Sequence, residues 1–138
     1  MRLLAGVVAV VLFALAALHV VWVARGRSAS AAIPSRADGT PLFRPGPAST
    51  LLVALALTVA GILVLMRVGA PADSPGLRWV QVATWVVAAV FALRTVGEFR
   101  YLGLFKRERT TPFARWDTWV FTPVCAALAA AIAVLAAS

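Results

Sequence analysis

Uncharged stretches of the chain alternate with shorter segments that hold nearly all of its charge, and the lengths of those stretches predict the elements. A bilayer core about 30 Å thick takes roughly 20 residues of helix. Leu3 to Ala24 is such a run, interrupted only by His19, and Ser49 to Met66 is a second, opened by Pro47 and closed by Arg67. Thr118 to Ala137 is another, rich in Ala, with Pro123 expected in its first turns, where a missing backbone donor costs least. The run from Trp79 to Leu93 has only fifteen residues, roughly 22 Å of helix, which falls short of the core. Its helix starts near Pro75 and Gly76 and must extend at the other end through Arg94, Thr95, Val96, Gly97 and on to Glu98. Four spans are therefore predicted, at about 3–24, 49–66, 77–97 and 117–137.

Composition supports the same class. Of the 138 residues 62% are hydrophobic and 13% charged, with a mean hydropathy of +0.93, which excludes a water-soluble globule. The expected fold is all-α, a single antiparallel four-helix membrane bundle. Small residues at four-residue spacing (Ala56 and Ala60; Ala129, Ala133 and Ala137) are expected to allow close helix contact. The first run could be a signal peptide, since Ala29, Ser30 and Ala31 supply a cleavage-like pattern. Its length and the following Arg25 and Arg27 favour a retained span instead.

Charge then sets orientation. The connection after span one holds Arg25, Arg27, Arg36 and Arg44, and that after span three holds Arg94, Arg100, Lys106, Arg107, Arg109 and Arg115, ten cations in all. The opposite side has three, Arg2, Arg67 and Arg78. Positively charged loops stay in the cytoplasm, so loops one and three are expected there, in the inner (plasma) membrane, with both termini outside. The net charge of +8 lies beside the spans, where the nearest polyanion is the headgroup surface and not nucleic acid.

Few residues can carry chemistry. A lone Cys125 excludes dithiol exchange and thiolate clusters, and one His in the whole chain removes poly-His metal sites; no metal or cofactor is expected. No Gly-rich phosphate cradle or nucleophile elbow is present. The remaining polar residues fall at the cytoplasmic end. His19 lies roughly 9 Å inside span one, with Trp22 on its face. Arg94, Glu98 and Tyr101 can line one stripe if their helix continues, with Arg94 and Glu98 forming an ion pair. Asp117 opens span four as an acidic cap, between Trp116 and Trp119. Trp22, Trp79, Trp116 and Trp119 also suit an interfacial belt. Loop three alternates Phe99, Tyr101, Leu102, Leu104, Phe105 and Phe113 with Arg100, Lys106, Arg107, Arg109 and Arg115, and is expected to lie in the interface plane.

The segments "LHVVW" at His19, "PLFRPGP" from Pro41, "RTVGEFRYLGLFKR" from Arg94 and "TPFARWDTWVFTPVC" from Thr111 resemble a bacterial family of small four-span membrane proteins of unknown function. The resemblance covers essentially the whole chain. It implies the four-span architecture and no activity.

Three functional readings remain open from the residues. One is a binding protein for a lipid headgroup or another small anionic or amphipathic ligand, using His19, Trp22, Arg94, Arg100, Tyr101, Lys106 and Arg115, with Glu98 and Asp117 fixing the cations. Another is an enzyme using His19 with Glu98 or Asp117 as acid and base on a lipid-soluble substrate. The third is a structural or assembly subunit. Membrane lipids are the expected partners, and a transport role would call for a homo-oligomer.

Overall fold

Leucine, valine and alanine fill the first helix, α1 (Arg2–Ala24), with no proline or charge from Leu3 onward, so every amide inside it is paired within the helix, as a bilayer demands. It stops where Gly26 takes a left-handed φ of 59°. Pro47, whose missing N–H would be unpaired anyway, begins α2 (Pro47–Gly69). Gly76, at φ 90°, turns the chain into α3 (Leu77–Val96), and Thr111 caps α4 (Pro112–Ala137). All four are long and apolar enough to cross a membrane, and the protein is an all-α antiparallel bundle. The structure is a computed structural model that describes residues 1–26, 33, 34, 36, 38, 40–42, 45–71 and 74–138. The loop-one cations Arg27 and Arg44, the segment 29–31 and Phe43 of "PLFRPGP" lie outside the described residues.

α2 is longer than expected at both ends, reaching from Pro47 past Arg67 to Gly69, and two further boundaries differ, each for a local reason. α3 ends at Val96, because Gly97 at φ 81° and Phe99 at φ 67° reverse the chain; Glu98 therefore leaves the helix, and no stripe of Arg94, Glu98 and Tyr101 forms. α4 starts earlier, at Pro112, where the Thr111 hydroxyl accepts a hydrogen bond from the Ala114 amide at 3.1 Å. Asp117 is consequently not a cap, and Pro123 lies in the helix interior. There the ring would press on the carbonyl four residues back, that of Trp119. The helix is widened just ahead of it, over Asp117–Phe121, into a π turn in which the Thr122 amide donates to the Asp117 carbonyl.

α1 packs chiefly on α2 and α3 on α4, and the two hairpins meet through α2 with α3 and through α1 with α4. Ala5, Val8, Leu12, Ala60, Val64, Ala88, Leu128, Ile132 and Leu135 form the shared core. Outward residues such as Leu3, Leu52 and Val86 are exposed, as lipid-facing positions must be. The expected small-residue contacts form in part: Ala60 is in the core and Ala133 packs against it, whereas Ala56 and Ala137 face outward, because the inward stripe of α2 follows Ala54, Ala60, Gly61 and Val64. At Gly61 an added Cβ would lie 2.5 Å from the Phe13 ring. At the end opposite loop three the Ala136 carbonyl, left unpaired by the end of α4, accepts from Gln81 Nε2 at 3.0 Å and Arg67 Nη2 at 3.5 Å.

Gly61→Val should lower stability by roughly 1–3 kcal/mol through overpacking, and Phe13→Ala in the same chain should restore part of the loss. Thermal unfolding in detergent measures both; an unchanged melting temperature for the single variant would contradict this packing of α1 on α2.

Candidate functional site

Antiparallel spans bring the C-terminal ends of α1 and α3 and the N-terminal end of α4 to one end of the bundle, here called the basic end. The chain leaving α3 does not run outward. Gly97 and Gly103 let it fold back against the last turn. A Cβ on Gly103 would lie 2.5 Å from the Val96 carbonyl oxygen and 2.7 Å from the Gly97 Cα, and one on Gly97 would collide with the Leu102 carbonyl. Both glycines have positive φ, near 81° and 82°, so their conformation and their contact alike call for glycine. The fold-back is held by the Leu104 amide, which donates to the Thr95 carbonyl at 2.9 Å.

This turn brings two donors, and the last turn of α3 a third, to one carboxylate. Asp117 is fully buried. Its Oδ1 accepts from Arg94 Nη2 at 2.6 Å; its Oδ2 accepts from Lys106 Nζ at 2.9 Å and from the Gly103 amide at 2.9 Å. Lys106, 4% exposed, also donates to the Gly103 carbonyl at 3.2 Å. Such charge-assisted bonds are the strong kind, and a buried carboxylate needs them. Two cations on one acid leave the triad one unit positive. Arg94 Nη1 is buried and has no hydrogen-bond partner among the described residues. One π turn beyond Asp117, Thr122 is 2% exposed, and its hydroxyl also has no partner among them.

The other sequence candidates separate into smaller groups. Glu98 is exposed and turns back, Oε1 accepting from the Tyr101 amide at 2.6 Å, so Arg94 finds its acid at Asp117 instead. Arg100, also exposed, lies 5.2 Å from the centroid of the Tyr101 ring. Arg115 is exposed on the first turn of α4. On α1, His19 Nδ1 is 2.7 Å from the Leu15 carbonyl. A carbonyl only accepts, so Nδ1 carries the proton. The His19 ring lies 5.0 Å from that of Trp22. Among the described residues no hydrogen bond joins His19 to Glu98 or Asp117.

The comparison with protein families bears on the whole assembly. A family described as "Protein of unknown function (DUF3995)" matches residues 12–132, from the middle of α1 nearly to the end of α4. The chain belongs to the DUF3995 family. No curated protein and no solved structure matches this DUF3995 chain. The matched region takes in both hairpins and the entire Asp117 triad.

Sequence reasoning missed the two glycines and the π turn of the DUF3995 site. Gly97 and Gly103 were visible as glycines beside a helix end, a recognised stop signal. Pro123 within an apolar run signalled a distortion once the true start at Thr111–Pro112 is recognised.

Asp117→Asn should destabilise this protein by about 3–5 kcal/mol, since it leaves Lys106 charged and buried without its acid, and Lys106→Met added to it should recover part of that. Glu98→Gln should change little; thermal unfolding of the four proteins decides, and equal losses for Asp117→Asn and Glu98→Gln would refute the triad. Thr122→Val, which removes a buried unpaired hydroxyl at nearly constant volume, should raise stability by about 1 kcal/mol. A drop in its melting temperature would mean that the hydroxyl has a partner.

Proposed function

We propose that this DUF3995 protein binds the anionic headgroup of a membrane lipid, or another small anionic amphiphile, at its basic end. The reading rests on one observation: Arg94 is tied to Asp117 through Nη2 while its Nη1, buried and unpartnered among the described residues, belongs to a triad with excess positive charge. A phosphate or carboxylate oxygen at Nη1 would satisfy both the donor and the charge, and a guanidinium suits that geometry better than an ammonium. Lys106 and Asp117 act as positioning residues, since Lys106 is itself buried against the acid. The exposed Arg100 and Arg115 supply a rim that draws an anion to the site. His19 and Trp22 on α1, and Glu98 and Tyr101 in the turn after α3, lie at the same end of the bundle and shape its surroundings. With the cation excess there, the basic end faces the cytoplasm and the protein resides in the plasma membrane.

An acid–base enzyme built on His19 with Glu98 or Asp117 has less support. The proton on His19 Nδ1 goes to Leu15, Glu98 Oε1 to the Tyr101 amide, and both Asp117 oxygens to cations. No observation favours it over binding.

Mass spectrometry of the protein after gentle detergent extraction tests the proposal. Wild type should retain an anionic lipid or amphiphile. Arg94→Lys keeps a cation for Asp117 but lacks the second guanidinium nitrogen, so retention should fall by roughly tenfold, the value of one hydrogen bond to a charged group, while the melting temperature hardly moves. Equal retention by the two proteins would refute the proposal, and so would finding no anionic molecule on either, the result expected of a purely structural subunit.

A further inference from the structure

The sequence places loop three in the interface plane, and the fold-back sorts its apolar side chains. Phe113 is buried, and Tyr101 and Leu102 are half-buried against the bundle, whereas Phe99, Leu104 and Phe105 are exposed at 57%, 57% and 59%. The rings of Phe99 and Phe105 lie 6.1 Å apart, and with Leu104, the residue before Phe105, they make up the exposed apolar part of the loop, here called the knob. Its depth is fixed by hydrogen bonding. The Leu104 amide donates to the Thr95 carbonyl, so Leu104 is level with the last turn of α3, and the 20 residues of that helix cover about 30 Å, the thickness of the hydrocarbon core. With α3 centred in the bilayer, the knob falls at the boundary of the acyl region and not above it. Phe99 adopts a φ of 67°, an uncommon conformation for a bulky residue, which the surrounding turn must hold. Around the knob Arg100, Arg107 and Arg109 are exposed, and the Arg100 carbonyl accepts from the Arg107 and Glu108 amides at 3.2 and 2.9 Å, so two of these cations sit on one closed loop.

From this geometry we infer that Phe99, Leu104 and Phe105 form a preformed wedge that enters the leaflet at the basic end, and that Arg100 and Arg107 make its partner an anionic phospholipid surface. The exposed apolar side chains require an apolar medium at that depth, and the arginines beside them require phosphates. A neutral leaflet, whose phosphates are balanced by its own cationic groups, meets the second requirement less fully than an anionic one. Exposure, depth and charge in the loop carry this wedge, whether or not Arg94 binds a ligand.

Spin labelling tests it on the full-length protein. With Cys125→Ser as background, a nitroxide is attached through Phe105→Cys, and separately through Leu104→Cys in case the first variant does not fold. Collision with oxygen and with a water-soluble nickel chelate is compared in vesicles of phosphatidylcholine alone and with added phosphatidylglycerol. The wedge requires oxygen contact to exceed chelate contact, and the excess to grow with phosphatidylglycerol. Arg100→Gln with Arg107→Gln should abolish that growth while the label remains shielded from the chelate. A label dominated by chelate contact in both vesicles would overturn the wedge. A buried label indifferent to phosphatidylglycerol, or a lipid response unchanged by the double arginine variant, would overturn the anionic partner. Lipid retention through Arg94 is a separate readout, so either idea can fail without the other.

Discussion

The basic end of this protein depends on one buried carboxylate. Asp117 lies inside the fourth span, where an unpaired charge would be costly, and it is occupied on both oxygens by groups that come from different parts of the chain: Arg94 from the last turn of α3, Lys106 and the Gly103 amide from the loop that follows. Each contact therefore ties that loop or α3 to α4. Without the acid, two cations would face one another at the membrane boundary, and the fold-back would keep the Leu104–Thr95 hydrogen bond but lose its Gly103 and Lys106 ties to α4.

Other features of this end follow from the same constraint. Gly97 and Gly103 must lack side chains so that the loop can approach closely enough to aim its amide at Oδ2. The π turn that begins at Asp117 accommodates Pro123 without breaking the span. Because two cations share one acid, a positive charge and an Arg94 nitrogen without a partner among the described residues remain, on which the proposed anionic ligand rests; because the loop is held at the level of Thr95, Phe99, Leu104 and Phe105 stay exposed beside the end of α3. Within the triad Lys106 is wholly inside, whereas the Arg94 side chain is 29% exposed.

The sequence disclosed the spans because uncharged runs of bilayer length seldom occur outside membranes, and it brought Arg94, Lys106 and Asp117 to one end because chain direction reverses at each span. It misassigned their pairing. Glu98, four residues from Arg94, was the local partner that helix spacing offers, and only the reversal at Gly97 removes it from the helix. Asp117 is 23 residues away, and no periodicity links the two positions. Lys106 could not be told from Arg100 or Arg107 by composition; which cation turns inward is decided by the contact of two glycine backbones. The charge at the edge of the uncharged run points to a start at Asp117, while Thr111 and Pro112 carry the actual start signal.

Hydrogen exchange at single amides in the membrane-reconstituted protein tests the central claim most directly, since it reads the fold-back without assuming any ligand. If Asp117 clamps the loop, the Gly103 and Leu104 amides, bonded to Oδ2 and to the Thr95 carbonyl, should be protected nearly as well as those in the last turn of α3, and Asp117→Ala should expose them while the core of α3 stays protected. Exchange of Gly103 and Leu104 at the rate of an open loop in the unaltered protein would contradict the account.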